Sequence, residues 1–250
     1  MGRKQHDFVW VHGAGHGAWR WAKLTAVLEK GGHRVTAINL ASAGEKPTIA
    51  ADDVETLEEY NWPLEDVMAS IPDDDNEKVV IDSHSQGGLS VACMCELYPK
   101  KIAVGVYLGA MMIAPGLGVD ELMAIIPEYL RHPENFIRKS KIEGGPVTRL
   151  EFPIESLRRD FYNKCSEEDV AFAAERVRGF PASTNPFAQF SLTDERYGSV
   201  PKVYVVSKED KVFSPAAVQK MLAANRDKVY EIGGDHSSFY AALEELDQVF

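Results

Sequence analysis

Short apolar runs alternate with longer segments whose apolar residues recur at helical spacing. Apolar runs of this length between turn-forming residues predict buried strands. In the first part of the chain the predicted strands are Phe8–Val11, Val35–Leu40, Val79–Ile81 and Ile102–Leu108. The predicted helices between them are Trp19–Glu29, Leu57–Ile71 and Gly88–Leu97. This alternation predicts an α/β fold with a mostly parallel sheet and helices on both of its faces.

The alternation stops between about residues 111 and 197. This segment has helical patterns over Val119–Arg131 and Glu167–Arg178, and no pattern that predicts a strand. The alternation returns with Val203–Val206, Pro215–Asn225, Lys228–Ile232 and Ser238–Leu246. Open parallel sheets bind ligands beyond the carboxyl ends of their strands, so we interpret 111–197 as a helical cap over that end. The alternative is a set of packing helices away from any site. No linker divides residues 1–250, and we expect a single domain.

Composition narrows the class of protein. Apolar residues make up 45% of the chain and charged residues 26%, and the net charge is −11. Such a surface repels phosphate backbones and anionic membranes, so neither nucleic acid nor a membrane is an expected partner. The cysteines predict neither a disulfide framework nor a zinc site. The apolar run near the N-terminus is too short for a signal peptide, and no stretch is long enough to span a bilayer, so we expect a cytoplasmic protein.

The segment Ser83-His84-Ser85-Gln86-Gly87 joins a predicted strand to a predicted helix. A sharp strand-to-helix turn needs small residues two before and two after its apex, because those backbones come close together. The apex residue, Ser85, then lies near the N-terminus of the next helix, where developing negative charge is favoured. Ser83 stands where Gly is usual, although Ser is still small. Ser85 is therefore the candidate nucleophile, and an ordinary helix-capping turn is the alternative.

A serine nucleophile needs a base, and the base needs an orienting acid. Asp210 follows the predicted strand Val203–Val206, and His236 follows Lys228–Ile232. Both therefore lie at the carboxyl end of the sheet, as Ser85 does, in the order Ser, acid, His of α/β-hydrolases. We expect the catalytic triad Ser85, Asp210 and His236. The competing acids are Glu209 and Asp235, which we expect to point away from the imidazole.

The remaining histidines are weaker candidates. We expect His6, His33 and His132 at the surface, and His84 to pack behind the turn.

The first strand ends in a glycine-rich loop, Val11-His12-Gly13-Ala14-Gly15-His16-Gly17-Ala18-Trp19. Small residues allow this backbone to approach a bound carbonyl, and a tetrahedral intermediate needs two N–H donors. We assign these oxyanion donors to the backbone of Ala14 and of Gln86. The alternative is a phosphate-binding loop, but the spacing of the glycines and the absence of an acidic residue after the next strand disfavour a nucleotide site.

These residues together resemble the plant methylesterase and hydroxynitrile lyase family of α/β-hydrolases. The resemblance covers nearly the whole chain, is weakest in the cap, and rests on five segments: His12–Trp19, Gly32–Ala37, Leu40–Gly44, Ser207–Lys211 and Gly233–His236. It implies the same triad, a helical cap over a largely apolar pocket and no cofactor. It also implies that the protein is often a homodimer.

The family contains two chemistries, and two positions favour its esterase branch. Lyases of one stereochemical preference carry Thr at the position of Gly13 and Lys directly after the catalytic His, where this chain has Ser237. The other lyase type carries Asn at the Gly13 position. Gly13 leaves room for an ester, whereas Gln86 departs from the usual apolar residue and could alter substrate choice.

We therefore expect serine-dependent hydrolysis of a small apolar carboxylic ester through an acyl-enzyme, with a methyl ester as one candidate substrate. The rivals are a hydroxynitrile lyase on the same triad and a ligand-binding protein with a vestigial triad. The cap could contribute further contacts, although we expect each of these side chains to belong to the core: Met111, Met112, Ile125, Phe136 and Phe180.

Overall fold

The computed structural model describes residues 5–125, 135–182, 190–225 and 228–250. The strands are β1 (Asp7–Val11), β2 (Arg34–Ile38), β3 (Val79–Ser85), β4 (Ile102–Ala110), β5 (Ile137–Lys139), β6 (Arg149–Glu151), β7 (Phe180–Pro181), β8 (Lys202–Ser207) and β9 (Lys228–Ile232). Six of them form one sheet in the order β2-β1-β3-β4-β8-β9, and every pairing in it is parallel. The predicted parallel sheet is confirmed.

Helices cover both faces of this sheet, as the pattern predicts. The described α-helices of four or more residues are α1 (Ala22–Lys30), α2 (Leu57–Ser70), α3 (Gly87–Leu97), α4 (Val119–Ile125), α5 (Glu167–Arg176), α6 (Pro215–Asn225), α7 (Ser238–Ala241) and α8 (Leu243–Val249). On one face α2, α3 and α6 pack through buried residues such as Leu64, Leu89 and Met221. On the other face α1 and α8 pack through Leu28 and Leu246. None of the described helices is both long and apolar enough to cross a lipid bilayer.

Two predicted helices are interrupted. The segment predicted as one helix over Trp19–Glu29 begins as a tighter 3₁₀ turn, Ala18–Trp21, in which Arg20 N–H donates to the Gly17 carbonyl. The segment Ser238–Leu246 divides into α7 and α8 at Ala242, whose backbone leaves the helical conformation (φ −134°, ψ 40°). The spacing of apolar side chains does not distinguish a continuous helix from an interrupted one, because the same residues lie on the buried face in either case.

The expectation of no strand between residues 111 and 197 is wrong. Strands β5, β6 and β7 form a small antiparallel sheet within this segment. Each has only two or three residues, too few for an alternating pattern to be visible in the sequence. The predicted helix Val119–Arg131 begins at Val119 as α4, and its second half lies outside the described residues.

The insertion contacts loops at the carboxyl end of the main sheet. The Asp52 carboxylate, in the segment after β2, accepts a hydrogen bond from Thr148 Oγ1 (2.5 Å) and is paired with Arg149. Arg178 N–H donates to the Gly15 carbonyl (2.9 Å) in the loop after β1. These contacts place part of the insertion beside the loops that carry the candidate site residues.

His33 was expected at the surface, and this expectation is wrong. Its ring is 5% exposed, packs edge-on against Phe8, and accepts a hydrogen bond at Nδ1 from the His6 backbone N–H (3.2 Å). The partner lies 27 residues away in the chain, so no local pattern indicates it. His6 is only partly buried, and His132 lies outside the described residues.

Candidate active site

Ser85 ends β3 in a strained backbone conformation. Its φ is +53°, and it is the one residue other than glycine with a positive φ in the part of the chain that the structure describes. L-residues rarely adopt this conformation, which is held only where surrounding structure enforces it. The following residues turn at once into α3, so Ser85 occupies the apex of a strand-to-helix turn.

Close packing explains the small residues around Ser85. A Cβ on Gly87 would lie 2.5 Å from the His12 carbonyl oxygen, and one on Gly88 would lie 1.9 Å from the Met111 carbonyl oxygen. Ser83 is tolerated in place of the usual Gly because its hydroxyl donates to the Val106 carbonyl of the neighbouring strand (2.9 Å). The turn therefore keeps its geometry despite the departure from the common motif.

Asp210 and His236 meet across 26 residues of sequence. His236 Nδ1 lies 2.8 Å from Asp210 Oδ2. The other oxygen of this carboxylate accepts hydrogen bonds from the backbone N–H groups of Val212 (2.7 Å) and Phe213 (3.1 Å). These bonds fix the carboxylate and place the proton of the neutral imidazole on Nδ1, so that Nε2 is free to act as a base.

His236 Nε2 itself has no hydrogen-bond partner among the described residues, so this structure does not join it to Ser85 by a hydrogen bond. The link between the two segments is His84, the residue before Ser85, whose ring packs edge-on against the His236 ring. In sites without substrate, the hydrogen bond between a serine and its candidate base is often long or absent.

Neither competing acid is hydrogen-bonded to the His236 ring among the described residues. Asp235 is fully buried, and its carboxylate accepts backbone N–H bonds from Lys164 (2.6 Å) and Ser237 (2.9 Å). Burial raises the pKa of Asp235 above its usual value. The Glu209 side chain is exposed to solvent. Asp210 is thus the carboxylate in contact with the His236 ring.

The loop after β1 packs directly on Ser85. A Cβ on Gly13 would lie 2.6 Å from Ser85 Cβ. The Ala14 and Gln86 N–H groups, the predicted oxyanion donors, are not donors in any hydrogen bond among the described residues. Both remain available to a bound oxyanion.

His12 holds the peptide group that carries the Ala14 N–H. Its Nε2 accepts a hydrogen bond from Leu40 N–H (3.1 Å), so Nδ1 carries the proton and donates to the Gly13 carbonyl (2.8 Å). That carbonyl and the Ala14 N–H belong to one planar peptide unit, so fixing one fixes the direction of the other. Burial is the main cause that lowers the pKa of His12 to about 4, so the ring is neutral near pH 7.

A second histidine fixes the next peptide of this loop. His16 Nδ1 lies 2.7 Å from the Ala14 carbonyl oxygen, and His16 Nε2 lies 2.8 Å from the Tyr162 hydroxyl. Burial raises the pKa of Tyr162 and keeps the pKa of His16 well below its usual value. The protonated phenol therefore donates to Nε2, and Nδ1–H donates to the carbonyl. This pair links the insertion to the proposed oxyanion loop.

Aromatic side chains surround the imidazole. Phe161 and Phe213 lie edge-on to the His236 ring, with ring centroids 5.1 and 5.5 Å from it. Phe161 belongs to a buried aromatic cluster with Phe136, Phe152 and Phe180. Met111 and Met112 are buried in the core beside α3, and the Ile125 side chain lies outside the described residues.

Two buried ionisable side chains near the site carry no functional assignment from sequence. Arg20 is 1% exposed and stacks over the Phe239 ring (4.2 Å), and burial lowers its pKa to about 10. Asp82 is fully buried in β3, and burial raises its pKa well above the usual value. The signal that could have found Asp82 is one carboxylate directly after the apolar run Val79–Ile81.

The sequence profile of the alpha/beta hydrolase family matches residues 8–249. This chain belongs to the alpha/beta hydrolase family. It is similar to Norfluorocurarine synthase 2 of Strychnos nux-vomica, with 36% identity covering 98% of this chain and 94% of that protein. It is also 36% identical to Methylesterase 3 of Arabidopsis thaliana (98% and 94% covered) and 32% identical to the (S)-hydroxynitrile lyase of Manihot esculenta (97% and 95%).

Solved structures agree with this assignment. The crystal structure of polyneuridine aldehyde esterase has a TM-score of 0.87 at 33% identity, and 98% of each chain is covered. The relatives of this α/β-hydrolase thus include esterases, a lyase and a synthase. Because one fold serves several reactions, the reaction must be argued from the site.

Proposed function

We propose that this α/β-hydrolase cleaves small, largely apolar carboxylic esters, methyl esters among them, through an acyl-enzyme on Ser85. The observation that carries the proposal is the hydrogen-bonded pair His236–Asp210 at the strand ends beside the strained Ser85. A serine at such an apex, an imidazole with a free Nε2 and a carboxylate on its Nδ1 are the groups that acyl transfer requires.

In this proposal each group has one task. Ser85 Oγ attacks the ester carbonyl carbon while His236 Nε2 takes the hydroxyl proton, and the Ala14 and Gln86 N–H groups bind the oxyanion. Collapse of the intermediate breaks the carbon–oxygen bond of the ester, and His236 returns the proton to the leaving alcohol. A water molecule, deprotonated by His236, then attacks the acyl carbon. The bond between this carbon and Ser85 Oγ breaks, His236 returns the proton to Ser85 Oγ, and the acid is released.

Two observations favour the esterase over the lyase. Gly13 lies so close to Ser85 that any Cβ there would contact the nucleophile's own Cβ, so a Thr or Asn would require the loop to move. Ser237, directly after His236, is fully buried, and a lysine there would bring a charge into an enclosed space.

The test compares two classes of substrate, esters and a cyanohydrin, with wild type and Ser85→Ala. We expect wild type to hydrolyse p-nitrophenyl acetate and short methyl esters, and Ser85→Ala to lose on the order of 10⁴ or more in kcat. Mandelonitrile cleavage is the parallel assay. Cleavage of mandelonitrile with a kcat/KM above that for every ester would identify a lyase, and no turnover in either assay would favour a binding protein.

A further inference from the structure

A cavity lies between α2 and α3, away from the candidate active site, with a volume of about 360 Å³. Its apolar lining includes Leu57, Met94 and Phe190, and none of the proposed triad residues lines it. The volume falls within the range of small-molecule sites, about 300–1,000 Å³. The cavity is therefore large enough for a ligand of its own.

Three carboxylates also line this cavity: those of Glu55, Glu58 and Glu65. None of them forms an ion pair with a described residue; Glu65 only accepts a long hydrogen bond from the Tyr98 hydroxyl (3.4 Å). Glu58 lies in the first turn of α2, where the helix dipole favours a negative charge. Glu55 directly precedes the N-cap Thr56 at the same end of the helix, whereas Glu65 lies in the second half of α2, where the dipole does not favour a negative charge.

A buried, unsatisfied amide lines the same cavity. Asn61 is 2% exposed; its Oδ1 accepts a hydrogen bond from Ser90 Oγ (2.7 Å), and its Nδ2 has no partner among the described residues. Buried polar atoms without partners are uncommon because they lose their hydration without compensation. The Ser90 hydroxyl can donate or accept, so the amide can present either its N–H group or its oxygen to a ligand.

We propose that this cavity binds a small organic ammonium ion with an apolar body. The ammonium group would lie among the carboxylates and donate to Asn61 Oδ1, with Nδ2 turned to donate to Ser90. The apolar body would cover Leu57 and Met94, and the face of Phe190 also attracts a cation. The net charge of −11 favours a cation and disfavours an anion of the same shape.

The test uses three probes of matched shape on the full chain: phenethylammonium, 2-phenylethanol and 3-phenylpropanoate. Calorimetry should give one site for phenethylammonium, at least about tenfold tighter than for the alcohol, with no detectable binding of the anion. Binding should weaken when NaCl is raised from about 0.05 to 0.5 M. In nuclear magnetic resonance spectra the side-chain amide signals of Asn61 should shift on binding, whereas the backbone amide signal of His236 should not.

Charge-neutral variants locate the site. Glu55→Gln/Glu65→Gln should weaken phenethylammonium binding about tenfold, whereas the control Glu143→Gln/Glu244→Gln, with the same loss of charge at exposed positions, should change it less than twofold. Equal affinity for the three probes, shifts confined to the His236 region, or equal weakening by both double variants would overturn the proposal. Binding is measured without an ester, so the result is independent of the proposed hydrolysis.

Discussion

The ring of His84, the residue before the proposed nucleophile, packs edge-on against the ring of His236, with centroids 4.4 Å apart. His84 Nε2 lies 2.6 Å from the His236 backbone carbonyl oxygen. Burial, above all other causes, holds the pKa of His84 well below its usual value, so the ring is neutral and its Nε2–H donates to that carbonyl. The turn that presents Ser85 therefore also supports the backbone of the proposed base.

We predict that His84 is a positioning residue. His84→Phe keeps a ring but removes the donor, leaving a buried carbonyl unpaired; kcat should fall about ten- to hundredfold with little change in KM, since small displacements of a base are costly. His84→Gln retains an N–H donor and should recover most of kcat. If His84→Phe lowers the unfolding midpoint in urea but leaves kcat within twofold, the role of His84 is only structural.

His12 should act on the reaction through the Ala14 N–H. His12→Leu removes both of its backbone hydrogen bonds, so kcat should fall by up to the 10²–10³ that the loss of one oxyanion donor costs, while KM changes little. His33→Leu is the matched control, because His33 is also buried and bonded to a backbone N–H, but at the amino end of the sheet. Steady-state kinetics showing equal losses in both variants would contradict this role.

The same histidine should make stability depend on pH. The folded protein keeps His12 neutral down to a pKa of about 4, whereas the unfolded chain protonates it below about 6.5. The unfolded state therefore binds more protons between these values, and stability falls as pH falls. His12 should account for a loss of about 2 kcal/mol between pH 7 and pH 5.

Asp82 acts in the opposite direction, because its raised pKa keeps it protonated in the folded state. The contribution of His12 is therefore measured as a difference between two proteins. Urea unfolding gives the free energy of unfolding of wild type and of His12→Leu at pH 7 and at pH 5. Wild type should lose about 2 kcal/mol more than the variant. Identical losses in the two proteins would contradict the prediction.

Replacing Asp210 or Asp235 by asparagine should have different effects: the first should lower kcat and the second should lower stability. Asp210→Asn should lower kcat by about 10⁴, as loss of the orienting acid does in serine proteases. Asp235→Asn should keep kcat within about tenfold and lower the stability instead, because Asp235 binds the Lys164 and Ser237 N–H groups. Kinetics and urea unfolding of both variants check this, and a larger kcat loss in Asp235→Asn would reverse the assignment of the acid.

Much of the main sheet could be predicted because its central strands, such as β1 and β4, are largely buried and appear as apolar runs. The edge strand β9 is more exposed, yet both β9 and α6 have the predicted bounds. The positions of Ser85, Asp210 and His236 were predictable for a related reason. Each follows an apolar run at its carboxyl end, and parallel strands bring those ends to one edge.

Features that depend on distant partners could not be predicted. The burial of His33 and the role of His12 rest on bonds to residues 27 and 28 positions away. Arg20, in an amphipathic stretch, has the pattern of an exposed charge, yet its guanidinium is stacked on Phe239 from the far end of the chain. Tertiary contact, rather than local pattern, decides such positions.

The central claim is that Ser85 is the nucleophile, and a fluorophosphonate probe tests it most directly by intact mass and peptide mapping. We predict one adduct per wild-type chain, located on Ser85, and none on Ser85→Ala. An adduct of equal yield on Ser85→Ala, or one located on another serine, would contradict the account.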